Sequence, residues 1–354
     1  MVLDNNLRVA DLTGLSGDVP REISKLVSPI LTKTEPWEYS LTKGSDKDSL
    51  RYPTVVRNTC GPRPDDKYYL YYAHHDIPSG IGCAIADELC GPYVKLAGLD
   101  AGRDHSQVLE LPRDDVTADN AVLLKHVFGS TPLDHEMIGN FHHLSSPCVL
   151  WNPKAELWLL YFHTYQYLWP SGGGHQQTYL ATCRDLATHD WEILKNPDGT
   201  WQIVLPVTAE PWMNSQSSYH SICCLPDGRF VAYLNGTGGE YIDGQWQITS
   251  IGLGFAMSDD GISWDYSPDN PFMEDDGKGL ATGMIGYLGN DEYLVVWADS
   301  ERVHYGRTTD FRTVTRDPGP AAEWQAGLIN PWRDGDTLYL FAGDFIAAMK
   351  LPVE

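Results

Sequence analysis

The sequence predicts an all-β, five-bladed β-propeller, on three observations. A helical period is nearly absent beyond the first ~35 residues, while β-favouring runs rich in Tyr, Val, Leu and Phe fill the rest of the chain. One pattern returns five times: an apolar strand, a turn containing Gly, Asp, Asn or Pro, and a second strand of large apolar residues. The first four copies are followed by a third strand and an Asp-containing polar turn. Three- to four-stranded antiparallel units repeated in this way protect their sheet edges by closing a ring.

The copies run in order along the chain. PTVVRNTCGPRPDDKYYLYYAHHD leads into GIGCAIADELCGPYVKL, and SPCVLWNPKAELWLLYFHTY into QQTYLATCRDLATHDWEIL. YHSICCLPDGRFVAYLNG leads into GLGFAMSDDGISWDYS, and TGMIGYLGNDEYLVVWAD into VHYGRTTDFRTVTRD. The fifth, INPWRDGDTLYLFAGD, ends in FIAAMKLPVE. The predicted blades therefore span about 50–100, 142–195, 218–268, 281–318 and 326–354, with the N-terminal segment closing the ring of a single domain, 1–354. Long insertions at 97–141, 165–175, 195–218 and 265–281 are of the kind that lines a binding site or lacks order. No Pro/Gly/Ser-rich break divides the chain. A β-sandwich is the alternative, disfavoured by five similar units.

The chain has 354 residues, 42% of them hydrophobic, and a formal charge of -23. That charge repels nucleic acid and anionic membranes at long range, so neither is an expected partner. No run approaches the roughly 18 apolar residues of a membrane span. The opening MVLDNNLRVADLTG lacks the charged and apolar regions of a secretory signal, which predicts a soluble, cytoplasmic protein. Seven scattered cysteines (Cys60, Cys83, Cys90, Cys148, Cys183, Cys223 and Cys224) fall mostly in apolar runs and show neither C-x-x-C nor zinc spacing. Reduced, buried thiols and no structural zinc are expected.

In a propeller blade the start of the first strand and the end of the second share one face, so residues at those places converge on a central funnel. The set comprises Arg51 and Tyr52 with His74, His75 and Asp76; His142, His143 and Ser145 with His163; and Tyr219 and His220 with Asn235. Thr282 joins Asp299 and Glu301, and Asn330 joins Asp344. Ionisable groups are more numerous here than an apolar core requires. Side chains alternate along a strand, so only one of His142 and His143 faces the funnel, and the phase through Ser145 selects His143. His163 and His220 stand in apolar strands, where a satisfied structural histidine fits almost as well as a ligand. His74 to Asp76 can equally be a strand end surfacing in solvent.

The blade motifs resemble a known family. Ala86-Asp87-Glu88-Leu89-Cys90-Gly91-Pro92-Tyr93 after His75, followed by His142 to Val149, is similar to the first two blades of the five-bladed propeller glycosidases of glycoside hydrolase family 43-like type, related to families 32 and 117. The resemblance covers roughly residues 50 to 350 and implies a funnel that cleaves glycosidic bonds with carboxylates from the first three blades. Where that family places its basic Asp, this sequence has Arg51-Tyr52-Pro53-Thr54, and its second blade opens with Ser146-Pro147.

A glycosidase needs a proton donor to the leaving oxygen and a carboxylate that activates water or attacks. Asp76 is the candidate base. Glu210 is the candidate acid, since Ala209, Pro211 and Trp212 around it offer an apolar setting that raises a carboxyl pKa. It can equally be a solvated loop carboxylate. A histidine acid, as resemblance to family 117 implies, would be His143 or His220. Substrate contacts are expected from Arg51, which can pair with a sugar carboxylate or sulfate, and from His163, His220, Asp299 and Asn330. Trp169 and Trp212 would be aromatic platforms for a sugar face. No cofactor is required. Two other classes remain: a metal-assisted lyase or hydrolase on an acidic sugar, with a divalent ion among His75, His143, His163 and His220, and a non-catalytic carbohydrate-binding propeller.

Overall fold

The computed structural model describes residues 3–15, 21–39, 50–74, 80–100, 102–110, 143–168, 173–243, 245–275, 277, 279–319, 321–324 and 327–352. Within them the chain is all-β. The described helices, Asn5–Leu7, Pro36–Glu38, Leu96–Leu99 and Leu186–Thr188, are single turns, and none is long and apolar enough to cross a membrane.

The strands form four hydrogen-bonded sheets that comprise five antiparallel units, the second and third units being joined in one sheet by the parallel bridge of Gln176 with Gln216. The first comprises Arg51–Arg57, Tyr68–Ala73, Gly80–Ala86 and Val94–Lys95, and the second Ser145–Asn152, Leu157–Leu168, Gly173–Cys183 and Glu192–Ile193. The third comprises Gln216–Cys224, Phe230–Ile242, Gln245–Ser258 and Asp265–Tyr266, and the fourth Ala281–Gly289, Glu292–Ala298, Val303–Thr308 and Thr315–Arg316. In the fifth, Asn330–Asp334, Thr337–Ala342 and Phe345–Lys350 are joined at the outer edge by Ser24–Val27, antiparallel to Phe345–Lys350.

Side-chain alternation packs each unit against two neighbours. Leu70 meets Phe341 and Ile346 of the fifth unit, whereas Tyr69 and Tyr71 on either side of it pack with Val149, Leu160 and Phe162 of the second. Cys148 and Leu150 meet Ile222, Cys224 and Phe230 of the third. Cys223, Tyr233 and Phe255 meet Ile285, Val295 and Trp297 of the fourth, while Met284, Leu294 and Val296 meet Leu338, Leu340 and Ala347 of the fifth. Burying both faces explains why these strands read as near-continuous apolar runs rather than alternating ones. The first strands of the units touch in the same order, and that of the fifth touches that of the first. Cys83, Cys148, Cys183, Cys223 and Cys224 are buried and unpaired, with burial raising each thiol pKa.

The N-terminal residues run among these first strands. Asn5 exchanges two hydrogen bonds with the backbone of Arg333, and Asn6 two with that of Arg57. Arg8 reaches Ile222 and Thr54, and Ala10–Asp11 pairs in parallel with Gly286 and Tyr287. One short segment thereby bonds to the first strands of the first, third, fourth and fifth units and contacts that of the second.

Candidate functional site

Four first strands carry the same irregularity near their starts. Between the pairs Arg51–Ala73 and Thr54–Tyr71 two residues oppose one, and the same shift recurs between Ser145–His163 and Cys148–Tyr161. It recurs again between Ser218–Asn235 and Ser221–Tyr233, and between Thr282–Trp297 and Ile285–Val295. Each is a β-bulge, which bends the strand and re-aims a side chain. The first residue of the bulge is left-handed in three units: Tyr52 at φ 58, Ser146 at φ 52 and Tyr219 at φ 54. For a bulky residue that conformation costs of order 1–3 kcal/mol and persists only where its surroundings enforce it. In the fourth unit the position is Gly283, where a Cβ would approach the Val296 carbonyl oxygen to 2.7 Å.

The bulges gather a polar and aromatic cluster on the second and third units, with the first beside them. The His163 ring lies 4.4 Å from that of Tyr219 and meets His143 edge-on at 5.2 Å, and Tyr219 meets Tyr52 at 6.0 Å. Gln176 Nε2 stands 3.3 Å from His143 Nε2. With the amide donating, the imidazole accepts there and carries its own proton on Nδ1. Burial pushes the Tyr219 hydroxyl well above the ordinary tyrosine range, Tyr52 adds to this, and Gln176 and Arg51 oppose it. The buried hydroxyls of Ser145, Ser146, Thr164 and Ser218 have no hydrogen-bond partner among the described residues. A cavity of about 10 Å³, water-sized, is lined by Ser146, His163, Thr178, Tyr219 and His220 among others.

His143 and His163 are thus brought together, with the exposed Arg51 at the start of its strand near Tyr219. His220 is a structural pin instead. Its Nδ1 accepts from the Asn235 N–H at 3.1 Å, so the ring proton sits on Nε2 and faces Ser217 Oγ at 3.1 Å. Burial holds its pKa down to about 3, against a weaker opposing effect of Ser217, so it is a neutral group with both nitrogens engaged. Both ring nitrogens are thereby taken up by the third unit's own first and second strands. Among the described residues no three His, Cys, Asp or Glu side chains are placed to hold a metal ion.

Asn330 is likewise taken by the fold: its Oδ1 accepts from the Val55 N–H at 2.5 Å, tying the fifth unit to the first, and the residue is fully buried. Trp212 is no platform, because it is buried beneath Gly236 and Gly252, whose missing side chains make room for its ring. Asp299 closes its own turn, accepting from the N–H groups of Glu301 and Arg302 and from His304 at 2.7 Å. Burial raises its pKa, but these three partners outweigh that and leave it lowered. Glu210 is exposed on the loop before the third unit, where its N–H donates to Thr208 Oγ1 and its carbonyl accepts from Met213, without the apolar enclosure expected for it. His74 is core, 2.7 Å from the Trp37 carbonyl oxygen. His75, Asp76, His142 and Trp169 lie outside the described residues.

Gln176 and Arg8 are not among the candidates that the sequence offers, and Ser146 enters there only as the residue opening the second blade. Gln176 follows a Gly-rich turn that read as loop, and the Ser-Pro and Tyr-Pro pairs that begin two bulges were the signal for Ser146. Nothing in the sequence marks Arg8.

No protein-family model and no curated protein matches the chain. Solved structures do. A glycoside hydrolase superposes with a TM-score of 0.54 at 16% identity over 90% of this chain and 92% of its own. A family 117 glycoside hydrolase from the marine bacterium Zobellia galactanivorans gives 0.53 at 11% identity, covering 92% and 88%. A structure from the GH130 family of mannoside phosphorylases and glycoside hydrolases gives 0.51 at 12%, covering 96% and 97%. At these identities the likeness is one of fold.

Proposed function

We propose that the chain is a five-bladed β-propeller glycosidase of family 43-like type, acting on a small saccharide or oligosaccharide in the funnel at the bulged ends of the first strands. One observation carries this reading: the bulges of three units bring Tyr52, Ser146 and Tyr219 to one place and set them against His143 and His163. Tyr52 and Tyr219 are suited to the C–H faces of a sugar ring, and a histidine titrates near neutral pH, where proton transfer to a leaving oxygen is needed. His143, oriented by Gln176, is the group we assign to that transfer, and Asp76 remains the sequence's choice of carboxylate. Similarity of fold to glycoside hydrolases supports the same class.

A non-catalytic saccharide-binding propeller is the second reading. Its support is that Glu210, the candidate acid, is exposed on the loop before the third unit without the apolar enclosure that would raise its pKa. A panel of chromogenic glycosides separates the two. Hydrolysis is expected, and His143→Ala should lower kcat by about 10²- to 10⁴-fold with the fold intact by circular dichroism. Saccharide binding with no turnover across the panel would leave the second reading standing.

A further inference from the structure

Among the described residues Arg8 is the buried arginine, at 5% exposure. It occupies the left-handed end of the Asn5–Leu7 turn, φ 63, and that strained backbone directs its side chain among the first strands. Nε donates to the Ile222 carbonyl oxygen at 3.2 Å and Nη1 to Thr54 Oγ1, and both acceptors are neutral. The half-buried Arg21 and Arg333, by contrast, lie within ion-pair distance of Asp317 and Asp11. Among the described residues Arg8 has no such carboxylate. Removing a guanidinium from water without a counter-charge is strongly unfavourable, and a chain of net charge -23 has carboxylates to spare. Nη2 and the second Nη1 proton are left without an acceptor among the described residues. Thr54 follows the Tyr52 bulge by two residues and Ile222 the Tyr219 bulge by three, so the guanidinium is fastened to those two strands just beyond their bulges.

We propose that Arg8 is the anchor for an anionic group of the ligand, namely the carboxylate of a uronic-acid-type sugar held at the floor of the funnel. This rests on the funnel of the proposed function and names its substrate class. A planar carboxylate takes two parallel hydrogen bonds from a guanidinium edge and supplies the charge that the fold withholds. Arg51 at the mouth would draw the acidic sugar in, and Arg8 would orient it.

The test is calorimetric titration of the full chain with D-glucuronate, D-glucose and sodium sulfate. Glucuronate is expected to bind at least about tenfold more tightly than glucose, a preference that Arg8→Met abolishes and Arg8→Lys keeps in part. Should Arg8→Met not fold, Thr54→Val, which removes one of the two groups holding the guanidinium, is expected to weaken glucuronate binding several-fold. Equal binding of glucuronate and glucose, or a preference untouched by Arg8→Met or Thr54→Val, overturns the proposal. Sulfate binding as tightly as glucuronate would make this a general anion site and would overturn the assignment to an acidic sugar. Hydrolysis of neutral glycosides without the preference sinks this inference alone, whereas the preference without any hydrolysis sinks the glycosidase reading alone.

Discussion

The second and third units and the fourth and fifth units all present polar residues at the starts of their first strands, yet those residues have different partners. On the fourth and fifth units the described groups serve the backbone: Asp299 closes a turn, Asn330 holds Val55, and Thr282 Oγ1 donates to the Tyr219 carbonyl oxygen at 2.8 Å. On the second and third units rings meet rings, a strained serine and tyrosine stand at the bulges, and four buried hydroxyls have no partner among the described residues. Place at the start of a first strand therefore does not set what a group bonds to; its partners from other strands do. Tyr219 and His220 make the point within one bulge, since the first joins the ring cluster and the second fastens the strand.

The contrast is most exposed to test at His220. His220→Ala removes the acceptor for a buried N–H and leaves a cavity, so a loss of about 3 kcal/mol in denaturant unfolding is expected. A variant as stable as the wild type would place His220 with the ring cluster. The pH dependence carries the same distinction. A histidine lowered to about 3 in the fold and near 6.5 when unfolded contributes stability that is fully present above pH 6.5 and is lost as pH falls toward 3. His189, held down to about 4 by burial and by Arg103, acts in the same direction. Each contributes about 1.4 kcal/mol per pH unit within its window. Between pH 6.5 and 5 the stability gap between wild type and His220→Ala should narrow at that rate, and parallel slopes would contradict the pinned histidine.

The architecture was legible because large apolar residues bury both faces of every unit, a demand that marks each strand along its whole length. The site was legible by position only. Counting from strand ends set His163, Asn235 and Asp299 as equivalents of His74 to Asp76, whereas the register pairs His163 with Ser145 just as Ala73 pairs with Arg51. Asn235 with Ser218 and Trp297 with Thr282 hold that same place. The bulge recurs at the same place in all four units, so the mismatch comes from how far each second strand runs past it, which the apolar runs do not mark. Which nitrogen or oxygen is already bonded, as in His220 and Asn330, depends on partners from other strands, and Arg8 depends on where residues 3–12 thread. Neither is encoded locally.

A smaller effect is expected at the junction of the fifth and first units. Asn330→Ala leaves the Val55 N–H unsatisfied and should cost about 1–3 kcal/mol in unfolding, with any glycoside turnover by the folded protein unchanged. A loss of activity at full stability would return Asn330 to the substrate contacts and weaken the contrast between the two sides.

Glu210→Gln sets the lower bound. The side chain is exposed, and the bonds that shape its loop are made by its backbone, with Thr208 and Met213. An exposed substitution that disturbs no bonded group stays within about 0.5 kcal/mol, and kcat/KM should stay within about twofold. Chromogenic turnover beside an unfolding curve checks both. Were activity to fall a hundredfold at unchanged stability, the proton donor would lie on the loop before the third unit, and His143 would be left to orient the sugar.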